Sequence, residues 1–207
     1  MTPSTTRRLV VDGPAGPLEI VYNVPQAAPR GLALIAHPLP THGGTLDNKV
    51  VQTLAKTFYA LGYAAVRFNF RGVGKSAGTF DDGEGETEDA LAALARARDD
   101  FGAELPVVLA GFSFGSYVQT RVAQRVHAQR LVLVGPAVGR FDVAAVRADT
   151  IVIHGEEDEV VSLAAVLAWA RPQELPIVVF PGCSHFFHGR LAQLQRVITG
   201  MWGDGAR

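Results

Sequence analysis

Cysteine is almost absent from this 207-residue chain, since Cys183 is its only one. An internal disulfide is therefore excluded, and the composition fits a reducing compartment. An excess of charge of one sign is lacking too, because 19 basic and 20 acidic residues leave a net charge of −1. Such a chain has no broad basic field with which to hold nucleic acid or an anionic lipid surface.

Long apolar runs are missing as well. No stretch approaches the roughly 18 consecutive apolar residues that a membrane span needs, although 48% of the residues are hydrophobic. The opening segment MTPSTTRRLVV lacks the apolar centre of a secretory signal. We therefore expect a cytoplasmic protein that binds neither a membrane nor nucleic acid.

What the sequence does contain is a regular alternation of strands and helices, which predicts one α/β domain over residues 1–207. The turn-rich DGPAGP separates RRLVV from LEIVYNV and predicts an N-terminal hairpin. Six further strands are predicted at GLALIAH, AAVRFNF, PVVLAGF, RLVLVG, TIVIHG and PIVVFPG. Helices are predicted over residues 47–61, 86–100, 114–127, 160–170 and 187–201. Eight strands mostly separated by helices indicate a largely parallel, doubly wound sheet, in which ligands bind at the carboxyl ends of the strands.

The segment GFSFG, residues 111–115, lies between an apolar strand and a helix with a stripe of valines. A G-x-S-x-G segment in that context predicts a sharp turn that lifts the Ser113 hydroxyl above the sheet. The glycines permit the turn and leave room around a strained serine. The alternative is a glycine-lined turn that carries an incidental serine.

Two other loops follow strands and carry the partners that a nucleophilic serine needs. Four acids occupy positions 156–159, and Asp158, just before the apolar helix, is our candidate to orient a histidine, with Glu156 or Glu157 as alternatives. His185 follows the last strand and is the candidate base. The chain order serine, acid, histidine is typical of an α/β-hydrolase. Nearby, we expect Cys183 to pack beneath the loop, Ser184 to be a loop hydroxyl and His188 to serve structure or the rim.

An oxyanion site requires backbone N–H groups near the serine. The N–H of Phe114 is the first candidate, and that of Leu39 is the second, because the flanking Pro38 and Pro40 have no N–H. Gly43 is a weaker candidate. His37 is predicted to brace this loop or line the substrate pocket, and no partner with metal-ligand spacing lies near it.

A P-loop at GKS is excluded, because the motif ending at Ser76 requires glycine where Asn69 stands. The helical segment SLAAVLAWA is apolar on all sides, which is typical of deep burial or of a partner surface. Trp169 in that segment is our candidate contact for a homodimer.

Together, GFSFG, HGEEDEVV and GCSHFFHG resemble the nucleophile, acid and histidine segments of the α/β-hydrolase superfamily, over nearly the whole chain. With HPLPTHGGTLDNKVV, FNFRGVGKS and FDDGEGE, the chain is similar to a compact bacterial subgroup of predicted hydrolases. That subgroup carries a histidine where this chain has Leu39. The resemblance implies serine-hydrolase chemistry through Ser113, Asp158 and His185, without a cofactor or a metal.

The stretch from Gly135 to Asp149 is too short for a lid domain, so we expect an open site, with Phe141 and Phe186 as candidates to line an acyl pocket. The expected reaction is hydrolysis of a small-molecule ester or thioester through an acyl-enzyme. Acyl transfer or peptide-bond cleavage by the same residues, and a non-catalytic ligand-binding protein on this fold, are the alternatives.

Overall fold

A computed structural model describes residues 5–203 of the chain. Its strands are β1 (Thr5–Gly13), β2 (Gly16–Val24), β3 (Leu32–Ala36), β4 (Ala64–Phe68), β5 (Val107–Phe112), β6 (Arg130–Val134), β7 (Ile151–Gly155) and β8 (Ile177–Phe180). Its helices are α1 (Lys49–Ala60), α2 (Glu84–Phe101), α3 (Phe114–Ala123), α4 (Leu163–Ala170) and α5 (Leu191–Gly203).

The eight strands form one sheet in the order β1-β2-β4-β3-β5-β6-β7-β8. The pairs β1–β2 and β2–β4 are antiparallel, and the other five pairs are parallel. The predicted N-terminal hairpin and the largely parallel α/β sheet are therefore confirmed. The crossover order places β3, β5, β6, β7 and β8 side by side, so the loops that follow them meet at one edge of the sheet.

Helices cover both faces of the sheet, and the apolar strands supply a buried layer to each. In β3, Leu32 and Leu34 pack on the face that α2 and α3 cover, whereas Ala33 and Ile35 pack toward α1 and α5. All five residues of β3 are buried. A strand buried on both faces has no polar alternation, which explains why GLALIA is a continuous apolar run.

The ends of several helices differ from the prediction. The last helix begins at Leu191 rather than at residue 187, because Phe187 (φ 53°) and Gly189 (φ 72°) adopt left-handed backbone that no α-helix accommodates. His188 therefore lies in the loop before α5. Similarly, α4 begins only after Ser162, whose hydroxyl accepts a hydrogen bond from the N–H of Ala165 as an N-cap.

The apolar helix α4 is not deeply buried, so deep burial, one of the two explanations predicted for its apolar sequence, was wrong. Only Val166 and Ala170 are buried in it, and Leu167 is 40% exposed. Trp169 packs on the core of its own chain, and its indole N–H donates to the carbonyl of Val143. A homodimer stays a prediction, but it no longer depends on Trp169. Within the described residues, none of the helices has both the length and the apolar character that crossing a membrane requires.

Candidate active site

Ser113 lies at the turn between β5 and α3 with a strained backbone (φ 55°, ψ −119°). A non-glycine residue in this region costs about 1–3 kcal/mol, so the surrounding structure must enforce the turn. Both neighbouring glycines are sterically required. A Cβ on Gly111 would overlap the backbone of Gly115, and a Cβ on Gly115 would overlap the carbonyl of Ala36. A glycine-lined turn with an incidental serine does not explain why that serine holds the strained position.

His185 joins Ser113 to Asp158 through two hydrogen bonds. His185 Nε2 lies 3.0 Å from Ser113 Oγ, and His185 Nδ1 lies 2.6 Å from Asp158 Oδ2. Because an ionised carboxylate only accepts hydrogen bonds, Nδ1 carries the proton, and Nε2 accepts from the serine hydroxyl. A serine, a histidine and an aspartate in this arrangement can transfer the hydroxyl proton to the imidazole as the oxygen attacks.

Asp158 is held as an anion at the end of β7. Burial would raise the pKa of this carboxyl, but hydrogen bonds from His185 and from the N–H groups of Val161 and Val160 together keep its pKa below the ordinary value. Both backbone donors reach Oδ1, at 2.7 Å and 2.9 Å. The second oxygen is thereby left to orient His185.

The acid and histidine loops are tied to each other directly. The N–H of Glu157 donates to the carbonyl of Cys183 at 3.0 Å, and Glu159 Oε2 accepts from the N–H of His185 at 3.2 Å. Glu156 turns outward and accepts from the N–H of Gly182. The two glutamates that were alternatives to Asp158 are exposed and do not contact the imidazole. Instead, Glu156, Glu157 and Glu159 hydrogen-bond the loop after β7 to the loop after β8.

The other nucleophile candidates of the last loop do not reach Ser113 or Asp158. Cys183 is buried, and its burial raises the pKa of the thiol, which disfavours the thiolate. His188 is exposed and stacks on the Phe186 ring at 5.9 Å between centroids. Of the histidines in this loop, His185 is therefore the one in hydrogen-bonding contact with the serine.

Leu39 and Phe114, whose backbone N–H groups are the oxyanion candidates, line the same pocket as Ser113. Phe114 is the first residue of α3, so its N–H has no intrahelical acceptor and lies at the positive end of the helix dipole. Within residues 5–203, the N–H of Leu39 also has no hydrogen-bond acceptor. The N–H of Gly43 donates to the carbonyl of Pro40, which removes Gly43 as a candidate.

His37 does not line the pocket, so its prediction as a substrate-contacting residue was wrong. Its side chain is fully buried, where Nδ1 lies 2.6 Å from the carbonyl oxygen of Pro38 and Nε2 accepts from the N–H of Phe70 at 3.0 Å. These two partners fix a neutral ring with the proton on Nδ1. Burial lowers the pKa of His37 to about 4. The ring braces the loop, which was the other predicted role.

The bond from His37 has a consequence for Leu39, because the carbonyl of Pro38 and the N–H of Leu39 belong to the same peptide unit. In a trans peptide these two groups point in opposite directions, and no cis peptide occurs among the described residues. Holding the carbonyl against the buried His37 therefore directs the N–H of Leu39 away from His37, and Leu39 lines the pocket. Gly44 packs directly on this peptide, since a Cβ there would overlap the Pro38 carbonyl.

We therefore expect His37→Leu to lower kcat by roughly 10- to 100-fold with little change in KM, because loss of a complete oxyanion donor costs about 10²- to 10³-fold. His37→Asn should recover much of this loss, since the Asn amide N–H can replace Nδ1–H as the donor to Pro38. Steady-state kinetics on an activated ester measure both variants. Equal losses in both would mean that the bond to the Pro38 carbonyl is not what matters.

The buried, neutral state of His37 also predicts how stability depends on pH. An unfolded histidine has a pKa of about 6.5, so between that value and the folded pKa of about 4 the unfolded chain binds the extra proton. Stability is then complete above the unfolded pKa and falls as the pH drops toward 4. Between pH 7.5 and 5, His37 should lower the free energy of unfolding by about 2 kcal/mol. Urea unfolding at both pH values should show this loss in the wild type, and a smaller loss in His37→Asn.

A cavity of about 170 Å³ opens above Ser113. Phe141 and Phe186 line it, as the sequence predicted, and Phe186 remains 39% exposed. The full lining consists of Pro38, Leu39, His42, Gly43, Gly44, Asn48, Ser113, Phe114, Ala137, Arg140, Phe141, Val160, His185 and Phe186. Sequence reasoning missed Asn48, Arg140 and Val160 as pocket residues. Arg140 and Val160 follow β6 and β7, whereas Asn48 is the N-cap of α1. Residues 135–150 form the short connection from β6 to β7, with no lid domain above the pocket.

Comparison with known proteins agrees with this geometry. Residues 28–144 match the model of the family described as serine aminopeptidase, S33. The chain is 39% identical to an α/β serine hydrolase without a lid from Xanthomonas campestris, with a TM-score of 0.89 over 97% of this chain and 95% of the other. It is 37% identical to an α/β serine hydrolase homologue from Coxiella burnetii, with a TM-score of 0.84 over 97% and 98% of the two chains. An uncharacterized protein from Rickettsia prowazekii is 28% identical in an alignment that covers 93% of this chain and 87% of that one.

Proposed function

Because this chain belongs to the serine aminopeptidase S33 family of α/β-hydrolases, we propose that it hydrolyses carboxylic esters or thioesters of small acyl groups. Ser113 is the proposed nucleophile, His185 the base and Asp158 the residue that orients the base. The observation that carries the proposal is the unbroken hydrogen-bond chain from Ser113 Oγ through His185 to Asp158, at 3.0 Å and 2.6 Å. Ser113 and His185 line a pocket whose surface is mostly apolar.

In the first half of the reaction, Ser113 Oγ attacks the substrate carbonyl carbon while its proton passes to His185 Nε2. The carbonyl oxygen becomes an oxyanion, which the N–H groups of Leu39 and Phe114 stabilise. Asp158 stabilises the imidazolium and holds its tautomer. The bond to the leaving alcohol or thiol then breaks, and His185 returns the proton to that group. The product is an acyl group esterified to Ser113.

In the second half, water attacks the acyl-serine carbonyl and gives a proton to His185. The same two N–H groups hold the second oxyanion. When the bond to Ser113 Oγ breaks, His185 donates the proton back to the serine, and the acid leaves. All side chains return to their starting protonation states. The short β6–β7 connection leaves the pocket open, so water has access for this step.

The family description favours a second candidate, which is cleavage of an amino-terminal peptide bond by the same residues. Such a substrate presents a protonated amine, and binding it requires a carboxylate or several carbonyl acceptors near the serine. None of the residues that line the described pocket is Asp or Glu. A desolvated ammonium group without an anionic partner is strongly disfavoured. The lining therefore favours the ester over the aminopeptidase substrate.

A substrate panel tests this proposal. Short p-nitrophenyl esters, the corresponding acyl thioesters and aminoacyl p-nitroanilides are offered to the wild type and to Ser113→Ala. We expect turnover of the esters and thioesters by the wild type, and much slower turnover of the aminoacyl amides. Preferential cleavage of the amides would establish the peptidase instead. Transfer of the acyl group to an added alcohol in preference to water would indicate an acyltransferase, and no turnover of any compound would indicate a binding protein.

A further inference from the structure

Several residues around the pocket carry hydrogen-bond donors. Arg140 contributes a guanidinium, which has only donors. Asn48 uses its side-chain oxygen to cap α1, where it accepts from the N–H of Val50 at 2.9 Å. The side-chain oxygen is thereby engaged, and Asn48 itself lines the pocket. The free N–H groups of Leu39 and Phe114 add two more donors.

Arg140 is free to meet a ligand. Within residues 5–203 its side chain forms no ion pair, in contrast to arginines such as Arg71, which binds the buried Asp89 at 3.0 Å. Arg140 is exposed and follows β6 in the short connection to β7. The guanidinium is therefore the one fixed positive charge in the lining of the described pocket, beside the apolar rings of Phe141 and Phe186.

The acids near the site do not neutralise this charge. Asp158 is buried behind His185 and is committed to that ring and to two backbone N–H groups. Glu159 is turned toward the backbone N–H of His185. Neither lines the pocket. In addition, the N-terminus of α3 adds positive potential beside Ser113. The pocket therefore combines apolar surface with one arginine that forms no ion pair among the described residues.

We propose that Arg140 selects substrates that carry a negative charge a few atoms from the scissile carbonyl. The favoured class is an ester or thioester whose acyl chain, or whose leaving group, bears a carboxylate or a phosphate. A guanidinium binds both anions through paired N–H groups. The inference rests on the proposed function, because it names the substrate class of the same site. Arg140 is thus a specificity-determining residue, and it takes no part in bond breaking.

Matched esters test this directly. Mono-p-nitrophenyl glutarate and p-nitrophenyl valerate have acyl chains of the same length, and only the first ends in a carboxylate. We expect the wild type to favour the glutarate by about tenfold in kcat/KM, which is the lower end for a hydrogen bond to a charged group. Arg140→Gln should abolish the preference by lowering glutarate turnover far more than valerate turnover, and Arg140→Glu should reverse the preference. Added salt should weaken the wild-type preference.

A second pair of esters separates the two positions of the charge. The valeryl ester of 4-hydroxybenzoate has its carboxylate on the leaving group, and the valeryl ester of methyl 4-hydroxybenzoate is its neutral match. A preference confined to one pair assigns Arg140 to the acyl or to the leaving-group side. Arg196→Gln is the matched control, because Arg196 is exposed on α5 and does not line the pocket, and its replacement removes the same charge.

Two results would overturn the inference. One is equal wild-type turnover of the charged and neutral esters, and the other is an equal loss for both esters in Arg140→Gln. Either leaves the proposed ester hydrolysis intact. If no ester is hydrolysed at all, the proposed function fails. The role of Arg140 can then still be tested by measuring how tightly charged and neutral esters bind. Calorimetry with Ser113→Ala should then show monomethyl glutarate binding about tenfold more tightly than methyl valerate. The difference should disappear in Ser113→Ala/Arg140→Gln, and its persistence there would contradict the inference.

Discussion

Ser113→Ala is expected to lower kcat for an activated ester by about 10⁴- to 10⁶-fold, with the fold unchanged. The hydroxyl is the attacking group in both halves of the reaction, so its loss leaves only binding and the oxyanion donors. Within residues 5–203, Ser113 Oγ makes no hydrogen bond other than the one to His185. Steady-state kinetics give the rate, and circular dichroism and urea unfolding verify the fold.

Ser113→Gly provides the matched control for strain. At φ 55° the backbone is strained for serine and for alanine alike, whereas glycine adopts this conformation freely. We expect the glycine variant to be as inactive as the alanine variant but more stable, by about 1 kcal/mol. A serine kept at a strained position against stability is held there for its chemistry. Wild-type rates in either variant would contradict the assignment of Ser113.

His185→Ala should lower kcat by a similar factor, roughly 10⁴-fold or more, whereas His188→Ala should keep activity within about fivefold of the wild type. His185 is the ring that contacts both Ser113 and Asp158. His188 contacts neither and stacks on the partly exposed Phe186. Steady-state kinetics on the same ester measure both variants side by side.

The two histidines lie three residues apart in one loop, so a general disturbance of that loop would affect both variants alike. Thermal unfolding of the two proteins provides the check on folding. The reverse order of activities, with His188→Ala inactive and His185→Ala active, would mean that the wrong histidine is assigned as the base.

Much of the fold was predictable from the sequence because the strands are buried on both faces. Runs such as GLALIA and TIVIHG have no polar alternation, and each is followed by a segment of helical spacing. Parallel order then places the loops after β5, β7 and β8 at one edge of the sheet, so Ser113, Asp158 and His185 could be named as a group. The hydrogen-bond distances among these three side chains depend on the conformations of the loops, which the sequence does not predict.

Most of the predictions that failed concern loops, where the backbone conformation depends on contacts that the local sequence does not reveal. Phenylalanine rarely adopts left-handed φ, so nothing in the sequence signals the turn at Phe187 that delays α5 to Leu191. The role of His37 depends on the orientation of one peptide and on the N–H of Phe70, more than thirty residues away. Arg140 lines the pocket because the β6–β7 connection brings Ala137, Arg140 and Phe141 to the same pocket as Ser113. Long-range contacts of this kind leave no local pattern.

The central claim is that Ser113 is a nucleophile activated by His185, and covalent labelling tests it most directly. The wild-type protein is treated with a fluorophosphonate, and intact-mass and peptide mass spectrometry locate the adduct. We predict one phosphonyl group per chain, on the peptide that contains Ser113, with no adduct in Ser113→Ala and much slower labelling in His185→Ala. An unlabelled wild-type protein, or an adduct on Ser184 or Cys183, would contradict the account.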